Sequence, residues 1–191
     1  DSFDTSEFIS LEKRRSGPNF PYKVADHCMI HLDDDTVLLT GGTFTNYTWS
    51  RSTWYLSINN NSWTPGPSMI EPRNFHACSS FVLNNTVYPI VAGSNNGSKT
   101  VEFLDLSLES PEWIPGPELH SFHTNIFHVG HKLVTNGETL FYISTTDNLF
   151  FQLECETIEE CQWIQLNRQL QNVLRGAAIV ALVPDTLTDC S

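Results

Sequence analysis

Two stretches fifty residues apart, Trp63-Thr-Pro-Gly-Pro67 and Trp113-Ile-Pro-Gly-Pro117, are nearly identical. A third tryptophan, Trp163, continues the spacing without the Pro-Gly-Pro turn. Self-similarity at a fixed period of roughly 20–50 residues is typical of repeat architectures, and β-propeller blades lie at the upper end of that range. The spacing therefore predicts a chain of tandem structural units.

Each unit has the pattern of four short β-strands. An apolar run ends in glycine, at Gly41-Gly42 in the first unit and at Gly93 in the second. A polar loop, an aromatic strand, a turn and the tryptophan strand follow, and no helical periodicity interrupts them. The composition agrees, since 12 Phe, 5 Trp and 5 Tyr accompany only 2 Met, and aromatic residues suit pleated, half-buried surfaces. We therefore predict an all-β fold.

The order of these landmarks resembles the Kelch-repeat family of β-propellers. The family's glycine pair, aromatic strand, spaced tryptophan, proline-rich turn, arginine and histidine have counterparts in the first unit at Gly41-Gly42, Trp54-Tyr55, Trp63, Pro65-Gly66-Pro67, Arg73 and His76. The second unit lacks one glycine and the arginine, and the third has Asn136-Gly137 where the glycine pair belongs. The resemblance implies a Kelch-type propeller whose repeat signature is Gly41, Gly42, Trp63, Arg73, Gly93, Trp113 and Trp163. It implies a fold more than a function.

The whole chain, residues 1–191, then forms one partial propeller. Its blades are expected at approximately 1–25 (outer strands only), 26–75, 76–125 and 126–175, with a closing inner strand at 176–184. About 3.5–4 blades are thus present, whereas a Kelch ring has about six. The rest would come from upstream sequence or from another polypeptide, or the N-terminal outer strands would pair with Ala177–Val183 in a four-bladed ring. Some closure is needed, because unpaired strand edges promote aggregation.

Five cysteines bear on the compartment and on assembly. Cys155 and Cys161 lie between two strand-like runs, at facing ends of a hairpin, which predicts a disulfide. A zinc site is the weaker interpretation, because no second Cys or His pair has matching spacing. Cys28 and Cys78, on equivalent inner strands, either bond to each other or stay as buried thiols. Cys190 is the fifth cysteine and is left over if the other four form two pairs. It therefore fits a bond to the missing part of the ring or to another chain.

Four N-glycosylation sequons fall in turn-rich segments, at Asn46, Asn60, Asn84 and Asn96. Together with the predicted disulfide they favour a secreted, extracellular glycoprotein. The net charge of −12 argues against nucleic acid as a partner, because a phosphate-binding face needs clustered Lys and Arg. No apolar run approaches the length of about 18 residues that spans a membrane.

The sequence contains no strong candidate for a catalytic or metal-binding site. His120, His123, His128 and His131 form a cluster, but His128 and His131 point to opposite faces of an extended strand, so turn and strand-edge histidines are the favoured interpretation. Asp33-Asp34-Asp35 could bind calcium but fits a solvated turn. Some Kelch relatives are copper oxidases similar to galactose oxidase, whereas the tyrosines here are scattered. We therefore predict no catalytic residue, no cofactor and no metal site.

The expected function is that of a non-enzymatic extracellular module that binds a protein or a glycan. The polar loops Thr43–Arg51 and Ser94–Lys99 are longer than turns require and are the predicted recognition elements. His27 and His76 recur near one repeat position and are expected to hydrogen-bond to a neighbouring loop. The first alternative is a structural subunit of a matrix, coat or filament that uses Cys190 for assembly. The second is an intracellular Kelch adaptor.

Overall fold

The structure is a computed structural model that describes residues 7–9, 14–119, 131–136, 139–144 and 149–169. The described residues form strands and turns, with one short 3-10 helix at Ile158–Glu160. In chain order the strands are β1 (Glu7–Ile9), β2 (Arg14–Ser16), β3 (Val24–Ala25), β4 (Cys28–His31), β5 (Thr36–Thr40), β6 (Thr43–Phe44), β7 (Thr53–Ser57), β8 (Ser62–Pro65), β9 (Ala77–Leu83), β10 (Thr86–Ala92), β11 (Val101–Asp105), β12 (Glu112–Gly116), β13 (His131–Thr135), β14 (Leu140–Ser144), β15 (Leu149–Glu154) and β16 (Gln162–Gln169).

Twelve of these strands form three antiparallel sheets of four strands each. We call them the first sheet (β4-β5-β7-β8), the second sheet (β9-β10-β11-β12) and the third sheet (β13-β14-β15-β16). Each is built from one continuous part of the chain, and the prediction of an all-β fold is confirmed. In the part of the chain that the structure describes, no helix is long and apolar enough to cross a membrane.

The sheets pack face to face through apolar cores. Between the first and second sheets lie Ile30, Leu38, Met69, Val91, Leu104 and Trp113. The core between the second and third sheets is larger and rich in aromatic rings, including Phe81, Phe103, Tyr142 and Phe151. Burying each such side chain contributes on the order of 1.5–3 kcal/mol. The packing of successive sheets is therefore the main source of stability.

One hydrogen bond recurs at each step along the chain. The indole Nε1 of Trp63 donates to the carbonyl of Pro18 at 3.1 Å, that of Trp113 to Pro67 at 3.0 Å, and that of Trp163 to Pro117 at 3.0 Å. Each tryptophan thus binds the Gly-Pro turn that ends the preceding unit. The fifty-residue period reflects this contact between units.

Replacing Trp113 with Phe removes the indole donor and leaves most of the aromatic packing. Because Trp113 is buried, the loss of the bond leaves the Pro67 carbonyl without this donor. We expect the free energy of unfolding to fall by about 1–2 kcal/mol. Chemical denaturation of wild type and W113F measures this, and equal midpoints would contradict the proposed contribution of the bond.

The N-terminal hairpin occupies a repeat position. Strands β1 and β2 pair antiparallel, Glu7 opposite Ser16, and lead into the Gly17-Pro18 turn that receives Trp63. Two residues after each such proline lies a buried apolar side chain, 6% exposed at Phe20, 1% at Met69 and 2% at Leu119. The hairpin therefore leads into the same kind of tryptophan-bound Gly-Pro turn as the β7–β8 and β11–β12 hairpins do.

Cys28 and Cys78 form a disulfide between the first and second sheets, with their Cα atoms 6.1 Å apart. Of the two alternatives, the bonded one is correct. The registers also show that the fifty-residue separation does not mark equivalent positions, since Cys28 lies opposite Thr40 whereas Cys78 lies opposite Val91, one residue before the strand end. The two cysteines, on β4 and β9, therefore join the two sheets across their interface.

Candidate functional site at the loop end of the sheets

The antiparallel strand order places the long connections at one end of the sheets. This loop end carries residues 41–52 between β5 and β7, 66–76 between β8 and β9, and 93–100 between β10 and β11. The opposite turn end carries the short turns at 32–35, 58–61 and 84–85. Both predicted recognition loops lie at the loop end. The first of them is more ordered than predicted, because Thr43–Phe44 forms β6 and pairs with β3 at Val24–Ala25.

The glycine pair allows the loops of the first unit to meet. Gly41 has φ of 59° and Gly42 has φ of 100°, a region that favours glycine. A Cβ atom at Gly41 would lie 2.4 Å from the carbonyl oxygen of Arg73, and the N–H of Gly42 donates to that same oxygen at 2.8 Å. The two glycines therefore bring the 66–76 loop against the end of β5.

Arg73 is completely buried below these loops. Its Nε and Nη2 both donate to Oε1 of Glu102, at 3.1 Å and 2.7 Å. Its Nη1 donates to the carbonyls of Gly93 at 2.8 Å and Thr100 at 3.0 Å, and Nη2 also donates to Thr100 Oγ1 at 2.8 Å. All five donors of the guanidinium group are used, so Arg73 joins the 66–76 and 93–100 loops and the start of β11.

The carboxylate of Glu102 is 2% exposed and is satisfied by further donors. The backbone N–H of Ile70 donates to its Oε2 at 2.6 Å, and that of Glu71 to its Oε1 at 3.1 Å. The Glu71 side chain in turn accepts from the hydroxyls of Ser98 at 3.0 Å and Thr100 at 2.7 Å. A buried ion pair is tolerated when such hydrogen bonds complete it.

Sequence reasoning identified Arg73 but missed Glu102 and Glu71. A charged residue inside the apolar run Val101–Leu104 was the available signal, because a buried arginine requires an anionic partner. The pattern concealed it, since Glu102 lies opposite Pro115 just as Trp54 lies opposite Pro65. Glu102 thus has the place that Trp54 has in the first unit, so the repeat pattern does not indicate a charged residue there.

Asn74 links the 66–76 loop to the 41–52 and 93–100 loops. Its side chain is 3% exposed and that of Ser94 is 1% exposed. The N–H of Asn74 donates to Ser94 Oγ at 3.3 Å, its Nδ2 donates to Thr43 Oγ1 at 3.2 Å, and its carbonyl accepts from Asn95 at 3.1 Å. The loops of the first and second units are therefore hydrogen-bonded into one surface.

His76 lies beneath the glycine pair, 8% exposed. Its Nε2 shares a hydrogen bond of 2.8 Å with Thr40 Oγ1, while its Nδ1 has no partner. The partner belongs to strand β5, so the prediction of a bond to a neighbouring loop is wrong in its detail. Burial, followed by the positive charge of Arg73 and by His27, lowers the pKa of His76 to about 3. Desolvation also lowers the pKa of His27, against the opposing effect of Asp26.

The neutral state of His76 predicts a loss of stability in mild acid. The pKa of His76 in the folded protein is below the unfolded value of 6.5. Its contribution to the free energy of unfolding is therefore complete above pH 6.5 and declines as the pH falls towards 3. Between pH 6.5 and 4.5 we expect it to account for about 2–3 kcal/mol of the change in unfolding free energy. Urea denaturation across this range should show a correspondingly flatter dependence for H76Q. The exposed residue His31 supplies the control, H31Q, and a wild-type slope in H76Q would contradict the prediction.

Three exposed aromatic side chains belong to the 41–52 and 66–76 loops. Tyr47 is 88% exposed, Phe75 43% and Trp49 37%. Tyr47 and Phe75 have φ of 59° and 49°, a left-handed conformation that bulky residues rarely adopt and that is frequent at binding sites. The N–H of Phe75 donates to the carbonyl of Asp26 at 3.0 Å. The backbone therefore holds Phe75 in this conformation.

The four sequons divide between the two ends. Asn46 and Asn96 lie in the loops of the loop end, where each side-chain oxygen accepts the backbone N–H two residues on, at 3.2 Å for Thr48 and 2.9 Å for Ser98. Asn60 and Asn84 lie in turns at the turn end. All four asparagines are exposed.

The predicted bond between Cys155 and Cys161 is present, with Cα atoms 4.1 Å apart. It closes the turn between β15 and β16 at the turn end, away from the loops. Glu154, Glu156, Glu160 and Gln162 surround it in an open cleft of 560 Å³.

The aspartate triplet forms a turn. Oδ1 of Asp33 accepts the N–H groups of Asp35 and Thr36, both at 2.9 Å, and this lowers the pKa of Asp33. Asp35 accepts the hydroxyl of Ser57 at 2.9 Å. Among the described residues, no group of three or more His, Cys, Asp or Glu side chains could hold a metal ion.

Several predicted features lie outside the described residues. They are His120, His123, His128, Gly137, Cys190 and the closing strand at 176–184.

Comparison with known proteins bears on the fold. No protein-family model matches the chain, and no curated protein matches it. Among solved structures it is similar to the structure of YjhT, with a TM-score of 0.61 and 13% identity, over 91% of this chain and 60% of that one. At this identity the likeness concerns the fold alone. The chain spans 60% of the length of that structure.

Proposed function

We propose that this chain is part of a secreted, glycosylated Kelch-type β-propeller that binds a protein or a glycan without catalysing a reaction. The observation that carries the proposal is the construction of the loop end. Exposed aromatic side chains project from loops that a buried polar network holds in place, and rigidly held loops suit recognition. The two disulfides agree with an oxidising compartment.

A larger ring is part of the proposal. The N-terminal hairpin has the place of two outer strands, and the likeness to YjhT covers 60% of that structure. Inner strands that complete the first blade would come from other sequence of the same protein, from 176–184, or from another polypeptide. An assembly subunit joined through Cys190 is the second candidate, favoured by the odd number of cysteines, 5 in all.

The recognition role is tested with protein secreted from eukaryotic cells. Binding partners are captured by cross-linking on tissue extracts and on an immobilised glycan panel, and affinities are then measured for loop-end variants. Y47N and F75N keep a residue that tolerates the left-handed backbone, and we expect each to weaken binding by about tenfold or more, as truncation of an aromatic anchor does.

The matched control is L108S, which removes a 41% exposed apolar side chain at the turn end. Equal binding by wild type and both aromatic variants would contradict the assignment of the loop end. Native mass measured with and without reductant separates the two candidates, because a disulfide-linked assembly dissociates in reductant and a soluble binder keeps its mass. Unmodified asparagines at all four sequons would overturn the secretory route.

A further inference from the structure

The Asn46 sequon lies in a tight hairpin. The N–H of Phe44 donates to the carbonyl of Thr48 at 3.0 Å, and that of Tyr47 donates to the carbonyl of Phe44 at 2.9 Å. Thr43 and Trp49 form the next antiparallel bridge, and Tyr47 has φ of 59°. This is a turn closed by a residue in the left-handed conformation, as in three-residue hairpin loops with a bulge.

The hairpin places three side chains on one side. Phe44 and Thr48 are opposite each other, and side chains of opposite residues in an antiparallel pair share a face. Oδ1 of Asn46 accepts both the N–H of Thr48 at 3.2 Å and its hydroxyl at 2.5 Å. The Asn46 amide is therefore held on the side of the hairpin that carries the Phe44 ring.

Phe44 is held in place by its neighbours and keeps part of its surface exposed. It packs against the cluster of Phe20, Val24 and Leu39, and its ring centre lies 5.6 Å from that of Tyr22. The side chain is nevertheless only partly buried. A pyranose ring presents C–H groups on its face, and these are attracted to the electron-rich face of an aromatic ring.

The other sequons have no aromatic residue two positions before the asparagine. The residue two positions before the asparagine is Ile58 for Asn60, Val82 for Asn84 and Ser94 for Asn96. Ser94 is also 1% exposed and bonded to Asn74. An aromatic ring two residues before the asparagine, on the same side of a tight turn, distinguishes Asn46.

We propose that the innermost N-acetylglucosamine attached to Asn46 packs against the ring of Phe44, so that this glycan stabilises the loop end. The inference rests on the proposed secretory function, because the sugar is added only on that route. Glycans at Asn60, Asn84 and Asn96 add solubility without contributing to the folding free energy in this way.

The test is a thermal-denaturation cycle on glycoprotein trimmed enzymatically to one N-acetylglucosamine per site. Wild type, N46Q, F44L and F44L/N46Q are compared, and peptide mass mapping records the occupancy of Asn46 in each. We expect N46Q to lower the melting temperature by about 2–4 °C in the Phe44 background and by less than half as much in the F44L background. The matched control, N60Q, should leave the melting temperature within about 1 °C of wild type.

The same four variants made without glycosylation isolate the hydrogen bonds that Asn46 itself makes to Thr48. In that set the effect of N46Q should be equal in both Phe44 and F44L backgrounds. An occupied Asn46 whose removal has the same effect in the wild-type and F44L glycoproteins would overturn this inference and leave the proposed function intact. Secreted protein with no sugar at Asn46 overturns the inference too, and occupancy of the other three sites then decides whether the secretory route survives.

Discussion

Replacing Arg73 with Ala is expected to lower the free energy of unfolding by about 3–5 kcal/mol, because the change leaves a buried carboxylate without its counter-ion. Glu102 is 2% exposed and cannot recover the lost interaction from solvent. R73K should be nearly as harmful, since an ammonium group cannot reproduce the five bonds of the guanidinium group. Urea denaturation monitored by tryptophan fluorescence measures both.

The matched control is R51A, which removes an exposed arginine from the adjacent loop and should change stability by less than about 0.5 kcal/mol. The double variant R73M/E102L separates two effects on the free energy of unfolding: the cost of leaving Glu102 buried without a counter-ion, and the net contribution of the Arg73–Glu102 ion pair. We expect it to be more stable than R73A, because two apolar side chains leave no buried charge. A loss below about 1 kcal/mol in R73A would show that water reaches Glu102.

Removal of the Cys28–Cys78 disulfide is the second large effect. The bond closes a loop with a sequence separation of 50 residues, and the chain-entropy relation gives about 4 kcal/mol for that length. C28S/C78S should therefore lose about that much stability under oxidising conditions. In reductant, wild type and variant should have similar unfolding midpoints.

The Cys155–Cys161 bond provides an internal comparison, because its sequence separation is 6 residues. The same relation gives about 2 kcal/mol for C155S/C161S. Equal losses for the two pairs would contradict the loop-entropy account and point to strain or residual structure in the unfolded chain. Wild type and the two double variants are compared in one denaturation assay.

Much of the local structure could be predicted because its signals are local. Gly41-Gly42 and the Pro-Gly-Pro turns end strands through backbone preferences that hardly depend on the rest of the molecule. The Cys155–Cys161 bond was predictable for the same reason, since two neighbouring strands bring its ends together.

The interior of the loop end was not predictable in the same way. His76 was assigned a loop partner, whereas the structure gives it Thr40 of strand β5. Thr40 and Gly41 lie beside it, and Arg73 and His27 act on its pKa. Only the pairing of β3 with β6 and the contact of two loops bring these residues together. The neutral state of His76 follows from that enclosure and has no signature in the sequence.

The tryptophans at 63, 113 and 163 determined the repeat on their own, because large aromatic residues in strands recur wherever each unit must bury the same surface. What only the tertiary structure decided is what each tryptophan binds: the indole reaches the Gly-Pro carbonyl of the preceding unit, 45 or 46 residues earlier in the chain. The Cys28–Cys78 bond and the Arg73–Glu102 pair were decided at the same level. All three contacts cross from one unit to the next, and their geometry depends on how two sheets face each other, which a period along the chain does not specify.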